Sequence, residues 1–120
     1  MAYLKDNLSI DQGATFRKSY VWSSTTPATT PISLTGYTAR MMLRTKQGDV
    51  TPVLSLTNVQ NASGQIILGG SLGTLQIYLT DAATMSLVKG GVYDLEVISP
   101  TGDVSRLLQG SFSVSPNVTR

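Results

Sequence analysis

Asp94 and Glu96 are the two residues of this 120-residue sequence best spaced to act together. They lie two positions apart in an extended stretch, GVYDLEV, so their side chains leave the same face of a strand. Paired carboxylates are the minimum for general acid and base work on a glycosidic bond. A solvated strand face is the commoner origin of such spacing, and that reading is preferred here. The other carboxylates are Asp6, Asp11, Asp49, Asp81 and Asp103. Asp49 and Asp103 stand in turn contexts, where the side chain bonds to nearby backbone.

The chain has no histidine and no cysteine. The commonest general base, the commonest metal ligand, thiolate nucleophiles and disulfides are thereby removed. Ser–Lys nucleophiles stay formally open. GGSLG, Gly69 to Gly73, resembles a phosphate cradle, but it lacks the Lys-Ser/Thr pair and no helix follows it, so it reads as a hairpin turn. The expectation is a protein that is not an enzyme and takes no cofactor or metal. Net charge is +2 with no basic run longer than Arg17-Lys18, which gives no footprint for nucleic acid. No window approaches a membrane span, and MAYLKDNLSI lacks the apolar stretch of a signal peptide. Folding in a cytoplasm without export is the expectation, which makes the sequons at Asn61 and Asn117 chance matches.

Surface chemistry is then left to aromatic, Met and Arg side chains. Most of Tyr3, Tyr20, Trp22, Tyr37, Met41 and Met42 are explained by core packing. Met42 and Tyr78 fall on the opposite face from their strands' core residues and are interface candidates. Trp22, Arg106 and the terminal Arg120 complete the candidate set.

The elements that position these residues are strands. Charged residues are 13% and hydrophobic residues 41%, with Ser and Thr filling the difference, which is a β-rich profile. LSIDQGATFRKSYVWSS reads as two extended stretches broken at Asp11-Gln12-Gly13. Phe16, Tyr20 and Trp22 share a parity with Lys18, so a bulge or a partly exposed face is expected there. TTPATTPISLTG reads as a loop ending near Leu34, with a low-complexity linker as the alternative. In GYTARMMLRTKQGD, Tyr37, Ala39, Met41 and Leu43 form one face of the clearest strand, ended by a turn at Gln47-Gly48-Asp49. Short strands follow over PVLSLT and Ile66 to Leu68, and another alternates Leu75, Ile77 and Leu79. DAATMSLVKGG reads as one or two helical turns near residues 81–88, capped by Asp81 and ended by Gly90-Gly91.

The closing hairpin alternates Tyr93, Leu95 and Val97, turns at PTGD with Gly102 in the left-handed conformation, and returns from about Val104 to Val114. Arg106 shares the parity of Leu108 and Phe112, so it is either set off by a bulge or placed at the rim, near Asp94 or Glu96. Seven or eight short strands at this spacing predict an all-β, immunoglobulin-like antiparallel β-sandwich in one domain, residues 1–120, with 1–9 a possible N-terminal arm ordered in an assembly. Tyr93 stands where such domains carry a tyrosine corner, and Leu95 takes the place of a core cysteine.

Three stretches, IDQGATFRKSYVW, ISLTGYTARMMLR and LQIYLTDAATMSLVKGGVYDLEVISPTGDVSRLLQGSFSVSPNVTR, resemble small structural proteins of tailed bacteriophages. They look like the immunoglobulin-like N-terminal domain of phage baseplate upper proteins. The likeness runs from Ile10 to Arg120, with the C-terminal motif its most specific part and residues 25–31 and 46–73 its most variable. It implies a non-enzymatic virion structural protein, a docking module of the tail or fibre-attachment apparatus, present in symmetric copies and contacting other virion proteins. A chain ending with its last strand carries no separate receptor-binding domain under this reading. A capsid decoration protein is one alternative. The other is a host-surface carbohydrate-binding module, which requires exposed aromatics such as Trp22 and Tyr78 to converge at one loop end.

Overall fold

In the computed structural model, the described residues are 4–22, 33–46, 53–69, 73–87 and 89–116. The elements in chain order are β1 (Leu4–Lys5), β2 (Leu8–Asp11), β3 (Phe16–Val21), β4 (Thr38–Arg44), β5 (Leu54–Thr57), β6 (Gly64–Leu68), β7 (Thr74–Leu79), α1 (Asp81–Met85), β8 (Gly91–Ile98) and β9 (Val104–Ser115). They form two sheets. One runs β1-β9-β8-β4-β5, with β2 also on β9, and the other runs β3-β7-β6.

Period-2 alternation builds the core, because every second side chain of each sheet meets the opposite sheet. Ala39, Met41 and Leu43 of β4 and Tyr93, Leu95 and Val97 of β8 are buried, and they face Leu75, Ile77 and Leu79 of β7 and Ile66 of β6. Leu8 and Ile10 of β2 close one side of this core and Leu54 and Leu56 of β5 the other. Phe16, Tyr20, Trp22 and Tyr37 pack against its margin.

Pairing is antiparallel except at the N-terminus, where β1 and β2 both run parallel to β9. Within the segment 1–9 expected as an arm, Leu4–Lys5 and Leu8–Ser9 are therefore seated on the chain's own last strand, Leu4 opposite Leu108 and Leu8 opposite Phe112. Gly110 permits the seating: a methyl on its Cα would overlap the Asp6 carbonyl between β1 and β2.

The Arg106 parity resolves as a bulge. Leu95 pairs with Leu108 but Glu96 pairs with Arg106, so Leu107 is the extra residue. Leu107 and Leu108 are both buried as a result, and Arg106 turns to the outer face with Glu96. No bulge occurs at Lys18; β3 pairs with β7 in unbroken register from Phe16 to Val21.

The helix is shorter than expected and capped one residue earlier. It ends at Met85 rather than near 88, and the cap is Thr80, whose hydroxyl accepts from the Ala83 N–H, while Asp81 occupies the first turn. The glycines do not end it, since Gly91 opens β8. Residues 25–32 of the expected loop that ends near Leu34, the Gln47-Gly48-Asp49 turn, and Pro52 lie outside the described residues.

Candidate functional site

The outer face of the six-stranded sheet gathers most of the chemistry. The register sets three rows across it. Arg40, Glu96 and Arg106 form one row; Met42, Asp94, Gln109 and Lys5 form the next; Arg44, Val92 and Ser111 form the third. The second and third rows floor a shallow concavity of about 390 Å³, with Arg106 and Asn7 at its sides. That volume lies in the range of small ligand sites or of one or two partner side chains.

The carboxylates on this face are engaged. Glu96 accepts from Arg40 Nε at 2.7 Å, and Asp94 Oδ2 lies 3.8 Å from Arg106 Nε. The expected cross-strand partner of Arg106 is thus Asp94, since Glu96 belongs to Arg40. Both pairs are solvent-facing and are worth about 0.2–1 kcal/mol each. Each carboxylate has its own arginine, which is the arrangement of a solvated face rather than of an acid–base couple. Arg106 Nη1 also donates to Gln109 Oε1 at 3.0 Å, the Ser111 N–H donates to Asn7 Oδ1 at 3.2 Å, and an Arg44 Nη lies 3.3 Å from Met42 Sδ.

A second polar cluster ties the two sheets together. Asp6, between β1 and β2, donates its N–H to the Gln109 carbonyl at 3.0 Å. Its own carbonyl accepts from the Tyr93 hydroxyl at 2.7 Å, and its carboxylate accepts from the Tyr20 hydroxyl at 2.6 Å. Lys18 Nζ lies 3.9 Å from the same carboxylate. Burial, then the hydrogen bond to Asp6, pushes the Tyr20 phenol far above its ordinary value. Burial, then the Asp6 charge, pushes Tyr93 up to about 12. A tyrosine corner bonds its hydroxyl to backbone a few residues upstream. Tyr93 instead reaches across the fold to the N-terminal segment, so its position matches the corner and its bond does not.

The five expected interface residues do not form one site. Met42 and Arg106 line the concavity. Trp22 is half-buried and meets the Tyr37 ring edge-on, centroids 6.1 Å apart. Tyr78 lies on the other sheet beneath the Arg17 guanidinium, 4.3 Å from its ring centroid. Trp22 follows β3 at the Gly73 end of β7 while Tyr78 pairs with Arg17 near the opposite end, so the two aromatics do not converge. Arg120 lies outside the described residues.

Lys5 and Asn7 reach this face only through the parallel seating of the N-terminal segment on β9, which leaves no local sequence signal, whereas Gln109 is set beside Asp94 by the β8–β9 register across the bulge. One Ser-x-x-Lys spacing does occur, Ser86 to Lys89. The Ser86 hydroxyl donates to the Ala83 carbonyl at 2.6 Å and closes the helix end, a structural employment. Among the described residues no group of His, Cys, Asp and Glu is placed to hold a metal, and no helix is long and apolar enough to cross a membrane.

Neither a protein family nor a curated protein matches the chain. Solved structures do. A chain from a study of multimeric cell-adhesive interactions of VGSC beta subunits aligns over 92% of this chain and 92% of its own length, at 15% identity and a TM-score of 0.48. A chain from the complex of ICOS with ICOS-L and an anti-ICOS-L VNAR domain aligns over 96% of this chain at 12% identity and a TM-score of 0.51. This chain spans 56% of that second chain's length. With two packed sheets in this strand order, the fold is an all-β, immunoglobulin-like sandwich.

Proposed function

We propose that this chain is a non-enzymatic docking module of a bacteriophage virion, part of the tail or fibre-attachment apparatus, which holds another virion protein against the outer face of its six-stranded sheet. The observation that carries the docking half is the concavity over β4, β8, β9 and β1, where Met42 and Arg106 come together with Lys5, Arg44 and Gln109. Charged and polar side chains around partly exposed Met42 and Val92 are the composition of an interface that forms between separately folded proteins. The employment of Asp94 and Glu96 in arginine pairs supports a binding role over a hydrolytic one.

The phage half rests on the sequence resemblance, and the fold is of the kind that resemblance implies. The likeness to solved structures bears on the fold alone. Many symmetric copies on one particle would supply avidity without a large contact per copy.

Quantitative mass spectrometry of purified particles, with heads and tails separated, tests this reading. A fixed ratio to tail proteins in the tail fraction is the expected result. Recovery with heads would make the chain a capsid decoration protein. Absence from both fractions would sink the virion reading. The carbohydrate-binding alternative asks for exposed aromatics at one loop end, and Trp22 and Tyr78 stand apart.

A further inference from the structure

We propose that the concavity on the outer face of the six-stranded sheet receives a carboxylate-rich segment of a partner protein, with an aliphatic side chain of that segment laid over Met42 and Val92. This rests on the docking-module reading and names the chemistry of the partner.

The argument is an account of donors and acceptors. Asn7 Oδ1 is taken by the Ser111 N–H and Gln109 Oε1 by Arg106. Each amide then presents its NH₂ group, which only donates. Lys5 and Arg106 add cationic donors, against one carboxylate, Asp94, among the described lining residues. Asp94 is itself turned toward Arg106. A surface on which two amide NH₂ groups and two cations face one carboxylate is complementary to an anionic, acceptor-rich group.

The Arg106–Asp94 contact is long, 3.8 Å, and both side chains are nearly half exposed, so Arg106 can turn to a bidentate carboxylate at little cost. The apolar floor separates a peptide from the other anions. Met42 and Val92 offer contact to an aliphatic side chain, whereas a sugar ring is held best on an exposed aromatic face, and Tyr93 in this lining is buried with its hydroxyl committed to Asp6.

The test titrates the nitrogen-15-labelled full chain with acetyl-Glu-Leu-Glu-amide, with acetyl-Gln-Leu-Gln-amide, and with a uronic acid oligosaccharide. The acidic peptide is expected to move the amide resonances of Met42, Asp94, Gln109 and Ser111. The Gln peptide is expected to leave them in place, and added salt to weaken the effect. Lys5→Gln with Arg106→Gln should weaken binding about tenfold, a loss of two charge-assisted contacts. Asp94→Asn should strengthen it, because it removes the one carboxylate among the described lining residues. Unchanged resonances on β3, β6 and β7 report that each variant is folded.

Equal response to both peptides, response confined to the other sheet, or tighter binding of the oligosaccharide would overturn the proposal. Particle composition decides separately whether the chain is a virion protein. A chain found in tails with a silent titration defeats this site and leaves the docking module standing.

Discussion

Asp6 ties the two sheets of the sandwich together. Its backbone pairs with β9 and Tyr93, and its carboxylate reaches Tyr20 and Lys18 of the opposite sheet. Asp6→Ala should cost about 1–2 kcal/mol by denaturant unfolding, since the Tyr20 hydroxyl loses a charged acceptor at a half-buried position. A double-mutant cycle with Tyr20→Phe should return a coupling of about 1 kcal/mol, and strict additivity would show the contact to be inert. Titration has a definite sign. Both phenols have raised folded values, so their contribution is fully present below the unfolded value of 10.0 and is lost as pH rises through the folded values, near 12 for Tyr93. Phenolate absorbance should therefore lag that of free tyrosine until the fold opens, and Tyr93→Phe should remove part of the lag. None of this was legible from sequence, where Asp6 is one carboxylate in an unremarkable N-terminal stretch. Its role depends on a contact 87 positions away.

Among the elements, the alternating strands were legible and the junctions were not. Ala39, Met41 and Leu43, or Leu75, Ile77 and Leu79, announce their burial through period 2, which is a local property. The parallel seating of β1 and β2 is a register between chain ends and leaves no local trace. The Arg106 parity signalled that a bulge or a rim position was needed, and only the structure assigns the extra residue to Leu107.

The motifs behind the resemblance turn out to be turn anchors. In IDQGATF, Gln12 Nε2 donates to the Leu87 carbonyl at 2.8 Å, and Gly13, at φ 83°, donates its N–H to Thr84 Oγ1 at 3.0 Å. Thr84 is fully buried and donates in turn to the Ala14 carbonyl at 2.9 Å. Thr84→Val keeps the shape and leaves those groups unpaired, so a loss of about 1–3 kcal/mol is expected in thermal or denaturant melts. LTGY and SPTGD meet where Gly36 lies against Pro100. Such motifs report how the sandwich is tied at its ends, which explains why they point clearly to a fold and only indirectly to a site. Gly110→Ala should force the Asp6 carbonyl away. Hydrogen exchange should then quicken at the N–H groups of residues 4–11 while the β4–β8 ladder keeps its protection. Uniform quickening would mean that the N-terminal strands are not a separable element.

At the scale of the whole molecule, the two sides of the sandwich are differently prepared for contact. One edge of the smaller sheet is β3, which turns Lys18 inward toward Asp6 and carries Arg17 on its outer face. An inward-pointing charge on an edge strand discourages a further strand from adding there. The outer face of β4, β8 and β9 has no such guard, and its concavity brings Lys5 and Arg106 together with Asn7 and Gln109. The account therefore assigns docking to a face rather than to an edge. The most direct test is a cryo-electron microscopy reconstruction of the intact particle with this domain fitted into it. The account predicts density for the domain in the tail or at the fibre roots, with Met42, Asp94, Arg106 and Gln109 covered by another protein. A domain seated in the particle with that face bare to solvent, or contacting its neighbour through β3 instead, would contradict it.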